Sequence, residues 1–241
     1  MSAIAVLLAL FMVVPSHSSP ACGQGSACVT DLGTAMAAAA TASVGTDGAS
    51  DLQADAFEAQ GLRAEVLELA MKAFQTAWRR GDTRKKIITV IDYSLPSSEK
   101  RLWVIDLSSN KLLFHEHVAH GSGSGGNSAT DFSNTSNSHK SNIGLMKTAE
   151  TYSGKHGYSL ELDGLESGWN GNARGRAIVI HAADYVSESF IRANGRLGRS
   201  WGCPALNPSV SRKVIDTIKG GSLVFGYYPD SGWLEGSKYL N

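Results

Sequence analysis

The sequence predicts a mainly β domain with short helices, preceded by a helical segment. Three observations carry that reading. Twenty-six glycines stand against only 6 prolines, which suits a chain of many tight turns. From Lys86 onward, short β-branched or alternating runs bounded by turn residues recur. Only before that point, over 51–80, do apolar residues keep a sustained helical step.

Residues 3–14 (AIAVLLALFMVV) form an unbroken apolar run. As a helix it would reach ~18 Å, short of a ~30 Å hydrocarbon core. Pro15 and the small residues Ser16, Ser18, Ser19 and Ala21 follow, so 1–21 reads as a secretory signal peptide, although no Lys or Arg precedes the run. Residues 22–50 are rich in Ala, Gly, Ser and Thr, and read as a flexible linker. Cys22 and Cys28 fall within it; an oxidising compartment would allow a local disulfide between them, leaving Cys203 alone. Over 51–82, Phe57, Leu62, Val66, Leu69, Ala70, Ala73, Phe74 and Ala77 mark an amphipathic helix, broken near Gly61 and stopped by Gly81. This segment reads as a packing element.

The rest, 86–241, reads as one mainly β domain. Strands are expected over 87–93, 102–107 and 111–119, with Ser108-Ser109-Asn110 as a hairpin loop. The polar stretch 121–142 is too long for a simple turn, and loops of that length often bind ligands or act as lids. Further strands are expected over 143–148, 158–162, 177–181 and 222–228. Helices are expected over 187–193 and 209–219, the second opening after Pro208 and closing before Gly220-Gly221. Lys+Arg and Asp+Glu balance at 22 each. That argues against a nucleic-acid binder held by a basic surface and against an acidic disordered tail.

The chemistry concentrates in 176–206, RAIVIHAADYVSESFIRANGRLGRSWGCPAL. A buried strand ends at His181. Cys203 follows in Ser200-Trp201-Gly202-Cys203-Pro204, where Gly202 permits a backbone geometry denied to other residues and Pro204 fixes the next φ. A nucleophilic thiol needs a base or a nearby cation, and His181 with Arg192, Arg196 and Arg199 offers both. A lone Cys is usually buried and inert, so residue types alone leave its role open.

His181, the spacer Gly195-Arg196-Leu197-Gly198-Arg199 and Ser200-Trp201-Gly202-Cys203 together resemble the signature of L,D-transpeptidases, the YkuD-like enzymes that remodel peptidoglycan. Upstream, Ser141-Asn142-Ile143-Gly144-Leu145 resembles a further segment of that family, and the final helix with Gly220-Gly221-Ser222-Leu223-Val224 resembles its closing elements. The resemblance covers about 86–228. Trp201 replaces the family's histidine and Ala205 its Arg or Asn. Those departures match a divergent murein L,D-transpeptidase branch, of which IDYSLPSSEKRLWVIDL, YSGKHGYSL and GRLGRSWGCPAL look like signatures.

The resemblance implies a β-sandwich or barrel-like catalytic domain that needs no cofactor and no metal. Cys203 would be the nucleophile and His181 the base, with backbone N–H groups around Gly202 and Cys203 as the oxyanion site and Ser200 hydrogen-bonding near the thiol or His181. The thiolate would attack a donor tetrapeptide of peptidoglycan, release D-Ala and form a thioester that a second stem's amine resolves. Water as acceptor would make the same site an L,D-carboxypeptidase. Free substrate carboxylates make Arg199 and Arg196 the expected partners, and Trp201, His156, Tyr158, His120 and Tyr185 the remaining cleft residues. The partners implied are peptidoglycan stem peptides, with no nucleic acid and no stable membrane span once the leader is removed. The location implied is export to the periplasm or cell envelope.

Two other readings compete. The domain would retain the fold as a peptidoglycan-binding module without turnover, or His115, His117 and His120 in His-Glu-His-Val-Ala-His would build a zinc hydrolase.

Overall fold

An eight-stranded sheet organises the protein. The computed structural model describes residues 57–241; the leader, the linker with Cys22 and Cys28, and the first residues of the helical segment lie outside the described residues. The strands are β1 Ile87–Asp92, β2 Leu102–Asp106, β3 Lys111–Glu116, β4 Gly144–Gly154, β5 Gly157–Gly164, β6 Val179–Ala182, β7 Ala205–Leu206 and β8 Leu223–Tyr227, in the order β3-β2-β1-β8-β4-β5-β6-β7. Neighbours run antiparallel except for β1 with β8 and β6 with β7.

The two edges of the sheet nearly meet. Just past β3, Ala119 exchanges backbone bonds with Ala205 of β7, its N–H to the Ala205 oxygen at 2.9 Å and its oxygen from the Ala205 N–H at 3.4 Å. The sheet is therefore curled into a nearly closed barrel, which leaves little edge unpaired. β8 lies at its centre with every residue buried, as expected of a strand covered on both faces.

Helix α1, Ala64–Arg80, buries Val66, Ala70, Ala73, Phe74 and Ala77, and these join the same core as β1 and β8. It stops where Gly81 adopts φ 76°, a left-handed geometry that caps the carbonyls of Ala77 and Trp78. Helix α2, Glu188–Asn194, starts at Ser187, whose Oγ accepts the Phe190 N–H. Helix α3, Pro208–Ile218, packs Val214, Ile215 and Ile218 into the core.

The structure departs from the sequence expectation in several places. The strand expected over 143–148 continues to Gly154 and turns back through Lys155 and His156 into β5. A register shift between Thr148 and Thr151, followed by exposed polar positions, hides that extension from an apolar reading. The strand expected from 177 begins at Val179, because Ala177 has φ 52°. Residues 117–119 leave the regular strand after Glu116. The two-residue β7 and helix α4, Ser231–Gly236, have no counterpart in the expectation. In α4 the Asp230 side chain accepts the Trp233 N–H and Trp233 is buried.

Candidate active site

Strand pairing brings the thiol and the imidazole together. β6 lies parallel to β7 with His181 beside Ala205, so the turn leading into β7 runs alongside the start of β6. On that turn the Cys203 Sγ accepts the Val179 N–H at 3.5 Å, and its S–H donates to the Ala177 oxygen at 3.5 Å. The left-handed Ala177 aims this carbonyl at the sulfur.

Side chains staple the turn from both sides. Ser200 Oγ donates to the Cys203 oxygen at 2.6 Å and accepts the Gly202 N–H at 3.1 Å. Ser141 Oγ donates to the Gly202 oxygen at 3.0 Å. Gly202 has φ 125°, and a Cβ there would sit 2.9 Å from the Lys140 oxygen, so only glycine fits.

The imidazole is held in one tautomer. His181 Nδ1 lies 2.8 Å from the Ala182 oxygen; a carbonyl only accepts, so Nδ1 carries the hydrogen and Nε2 keeps its lone pair. Burial lowers the His181 pKa below the ordinary histidine value; the Ala182 carbonyl opposes that shift, and the neighbouring His156 adds to it. The two rings lie 4.6 Å apart between centroids. Burial also raises the Cys203 pKa, against the Val179 N–H and the Arg176 guanidinium. Both shifts favour a protonated thiol beside a neutral imidazole over an ion pair.

The cation acting on the sulfur is Arg176, which sequence reasoning passed over. Its guanidinium donates to Asn142 Oδ1 at 2.8 Å, to the Lys140 oxygen at 2.6 Å and to the Ser133 oxygen. These acceptors lie more than thirty positions upstream, so no local pattern marks the residue. Of the arginines expected here, Arg196 turns to the Leu197 oxygen at 2.7 Å, whereas Arg199 reaches the Gly125 oxygen at 2.8 Å and stays at the site.

A cavity of about 230 Å³ joins Cys203, His181, Ser200, Arg199, Trp201, His156 and Tyr185, and adds Lys155 from the β4–β5 turn. Trp201 is 73% exposed and stacks on His139 at 4.8 Å, an exposure that suits a surface platform. Three expected cleft residues do not line the cavity. Arg196 is turned away as described. Tyr158 donates to Asp216 Oδ1 at 2.8 Å, with the Arg212 guanidinium 4.3 Å above its ring.

His120 is fully buried. Its Nδ1 accepts from Arg101 Nη2 at 2.7 Å, and its Nε2 has no hydrogen-bond partner among the described residues. Burial, then the Arg101 charge, push its pKa down to about 4. A histidine that titrates near 6.5 when unfolded adds stability that is complete above that value and is lost as pH falls toward 4, on the order of 3 kcal/mol. His120→Gln should therefore show a shallower fall in urea-unfolding free energy between pH 6.5 and 4 than the native protein. Parallel pH profiles would remove His120 from that role.

The three histidines of the zinc reading diverge. His115 stacks on Trp103 at 5.1 Å, His117 Nε2 lies 3.2 Å from the Ser98 oxygen, and His120 faces Arg101. Among the described residues, no group of three or more His, Cys, Asp or Glu is placed to hold a metal ion.

A thiol and an oriented imidazole in one cavity are the parts a covalent acyl-transfer centre requires. Residues 58–227 match the family described as L,D-transpeptidase catalytic domain. The chain belongs to that family. No curated protein matches the sequence.

Solved structures with similarity include an L,D-transpeptidase from Mycobacterium smegmatis, at 11% identity and TM-score 0.38 over 59% of each chain. Another is an L,D-transpeptidase from Stackebrandtia nassauensis, at 19% identity and TM-score 0.36 over 68% of each chain. A third, from Mycobacterium tuberculosis H37Rv, has 13% identity and TM-score 0.34 over 59% of this chain and 58% of that one. The aligned region thus spans well under two thirds of the first of these, and the family match alone carries the assignment. Among the described residues no helix is long and apolar enough to cross a membrane.

Proposed function

We propose that this chain is a peptidoglycan L,D-transpeptidase in which Cys203 is the nucleophile and His181 the general base. The observation that carries the reading is the His181 ring, fixed through Nδ1 by Ala182 and sharing one cavity with the Cys203 sulfur. In the first step the thiol proton passes to His181 Nε2 as the sulfur bonds to the donor carbonyl. The Gly202 N–H is already engaged by Ser200, which leaves the Cys203 N–H to face the developing oxyanion. His181 then returns the proton to the departing amine, the C–N bond breaks, D-Ala leaves and a thioester remains. An acceptor amine attacks that thioester and the sulfur departs, regaining its proton.

Lys155 and Arg199 at the cavity rim supply the charge that free stem carboxylates seek. A peptidoglycan substrate would be met outside the cytoplasm, in the periplasm or cell envelope, and the apolar run over 3–14, read as part of a leader, supports that location. The test is incubation with a carbapenem, followed by intact-mass and peptide mapping. The expected result is one adduct on the peptide containing Cys203. An unmodified protein that also releases no D-Ala from a tetrapeptide donor would favour a module that binds without turnover.

A further inference from the structure

A second cavity, of about 340 Å³, opens between the loop 130–135, the turn at Gly168 and Trp169, and the segment after β8. Its size falls in the ~300–1,000 Å³ range of small-molecule sites. Its chemistry is the reverse of the thiol cavity's. Three half-buried rings, Phe132, Trp169 and Tyr228, line it beside Asp131 and Asp230, and among the described residues no lysine or arginine does. Asp131 is already paired with Lys140 at 2.6 Å. A ligand bearing free carboxylates is disfavoured here, whereas an uncharged polyol is not. Sugar rings present apolar C–H faces that lie on aromatic rings, and hydroxyl edges that seek acceptors.

The walls are set before any ligand arrives. Phe132 is fixed between Tyr93 and Tyr228, at 5.6 and 4.8 Å between ring centroids. Asn134 Nδ2 donates to the Ser167 oxygen at 2.9 Å, and Asn134 Oδ1 accepts the Asn172 N–H at 2.8 Å. Asn142 Nδ2 donates to the Trp169 oxygen at 3.0 Å and to the Ser133 oxygen at 3.2 Å. Such bracing lowers the ordering cost of binding. The cavity is also tied to the thiol, because the Arg176 guanidinium that acts on Cys203 donates to the oxygen of Ser133 in this wall.

We propose that this cavity is a saccharide site, holding an N-acetylated amino sugar of the glycan strand whose stem peptide reaches Cys203. The identity of that glycan rests on the function proposed above; the class of ligand rests on the cavity. The apolar edge of Phe132 offers contact to the acetyl methyl, and the aromatic faces to the ring.

The probe is a soluble N-acetylglucosamine tetramer, titrated into the full Cys203→Ala protein and followed by backbone amide NMR. Saturable shifts are expected at Gly168, Trp169 and Tyr228. Tyr228→Ala should weaken binding at least tenfold. Gly168→Leu should do the same without disturbing the fold, since a Cβ at Gly168 meets nothing within 4 Å and the added side chain crowds the cavity rim. Maltotetraose, which lacks the acetamide, should bind more weakly. The proposal is overturned by the absence of saturable shifts, by shifts confined to the thiol cavity, by unchanged affinity in Gly168→Leu, or by equal binding of maltotetraose. Because the probe carries no stem peptide and the protein no thiol at position 203, failed acyl transfer in the native enzyme would leave this result untouched. Likewise, a silent titration would leave the Cys203 chemistry standing.

Discussion

Replacing Cys203 with alanine is expected to cut D-Ala release from a tetrapeptide donor by at least ~10³-fold, because the thiol is lost and the Ser200 hydroxyl in the same cavity is already committed to the backbone oxygen of residue 203. The fold should survive. Both contacts of the sulfur are long, at 3.5 Å, and weak as thiol hydrogen bonds go. The bonds that staple the turn run from Ser200 and Ser141 to backbone oxygens of Cys203 and Gly202, and alanine leaves them in place. Far-UV circular dichroism and a melting curve close to native, with turnover gone, would be the outcome. Turnover within tenfold of native would remove the sulfur from the mechanism.

His181→Ala should lower turnover by ~10²–10⁴-fold, the usual range for a positioned base. The sign of the pH effect follows from burial and from His156, both of which disfavour the charged ring. The neutral base therefore persists below the ordinary histidine value, and the acid limb of kcat/KM should inflect below pH 6.5, falling as pH drops through it. His156→Ala removes a neighbour that repels the proton, so the same limb should move toward higher pH. A profile flat from pH 5 to 8 would contradict the base assignment. A His181→Ala protein that is unfolded as well as inactive would make the ring structural instead.

Much of the site was legible because it is local. His181 at a strand end, and Ser200-Trp201-Gly202-Cys203 on a turn that only glycine allows, are short-range patterns that survive into three dimensions. The helix stop at Gly81 and the starts of α2 and α3 were legible for the same reason. What escaped depends on distant pairing. Arg176 acts through acceptors on the loop 121–142, and β7 exists only because two residues find β6. The second half of β4 alternates too weakly in polarity to show as a strand. His120 looked like a cleft residue from its place beside Gly121, yet Arg101, nineteen positions away, draws it into the interior.

The sulfur's resting arrangement carries a last consequence. Peroxides and disulfides react with the thiolate, not with the thiol. A sulfur that keeps its proton against the Ala177 carbonyl, with its pKa raised by burial, offers oxidants little to attack while the enzyme idles. In the proposed mechanism, deprotonation waits for a donor carbonyl to take the electron pair, so the contact that shields the sulfur would also time the chemistry.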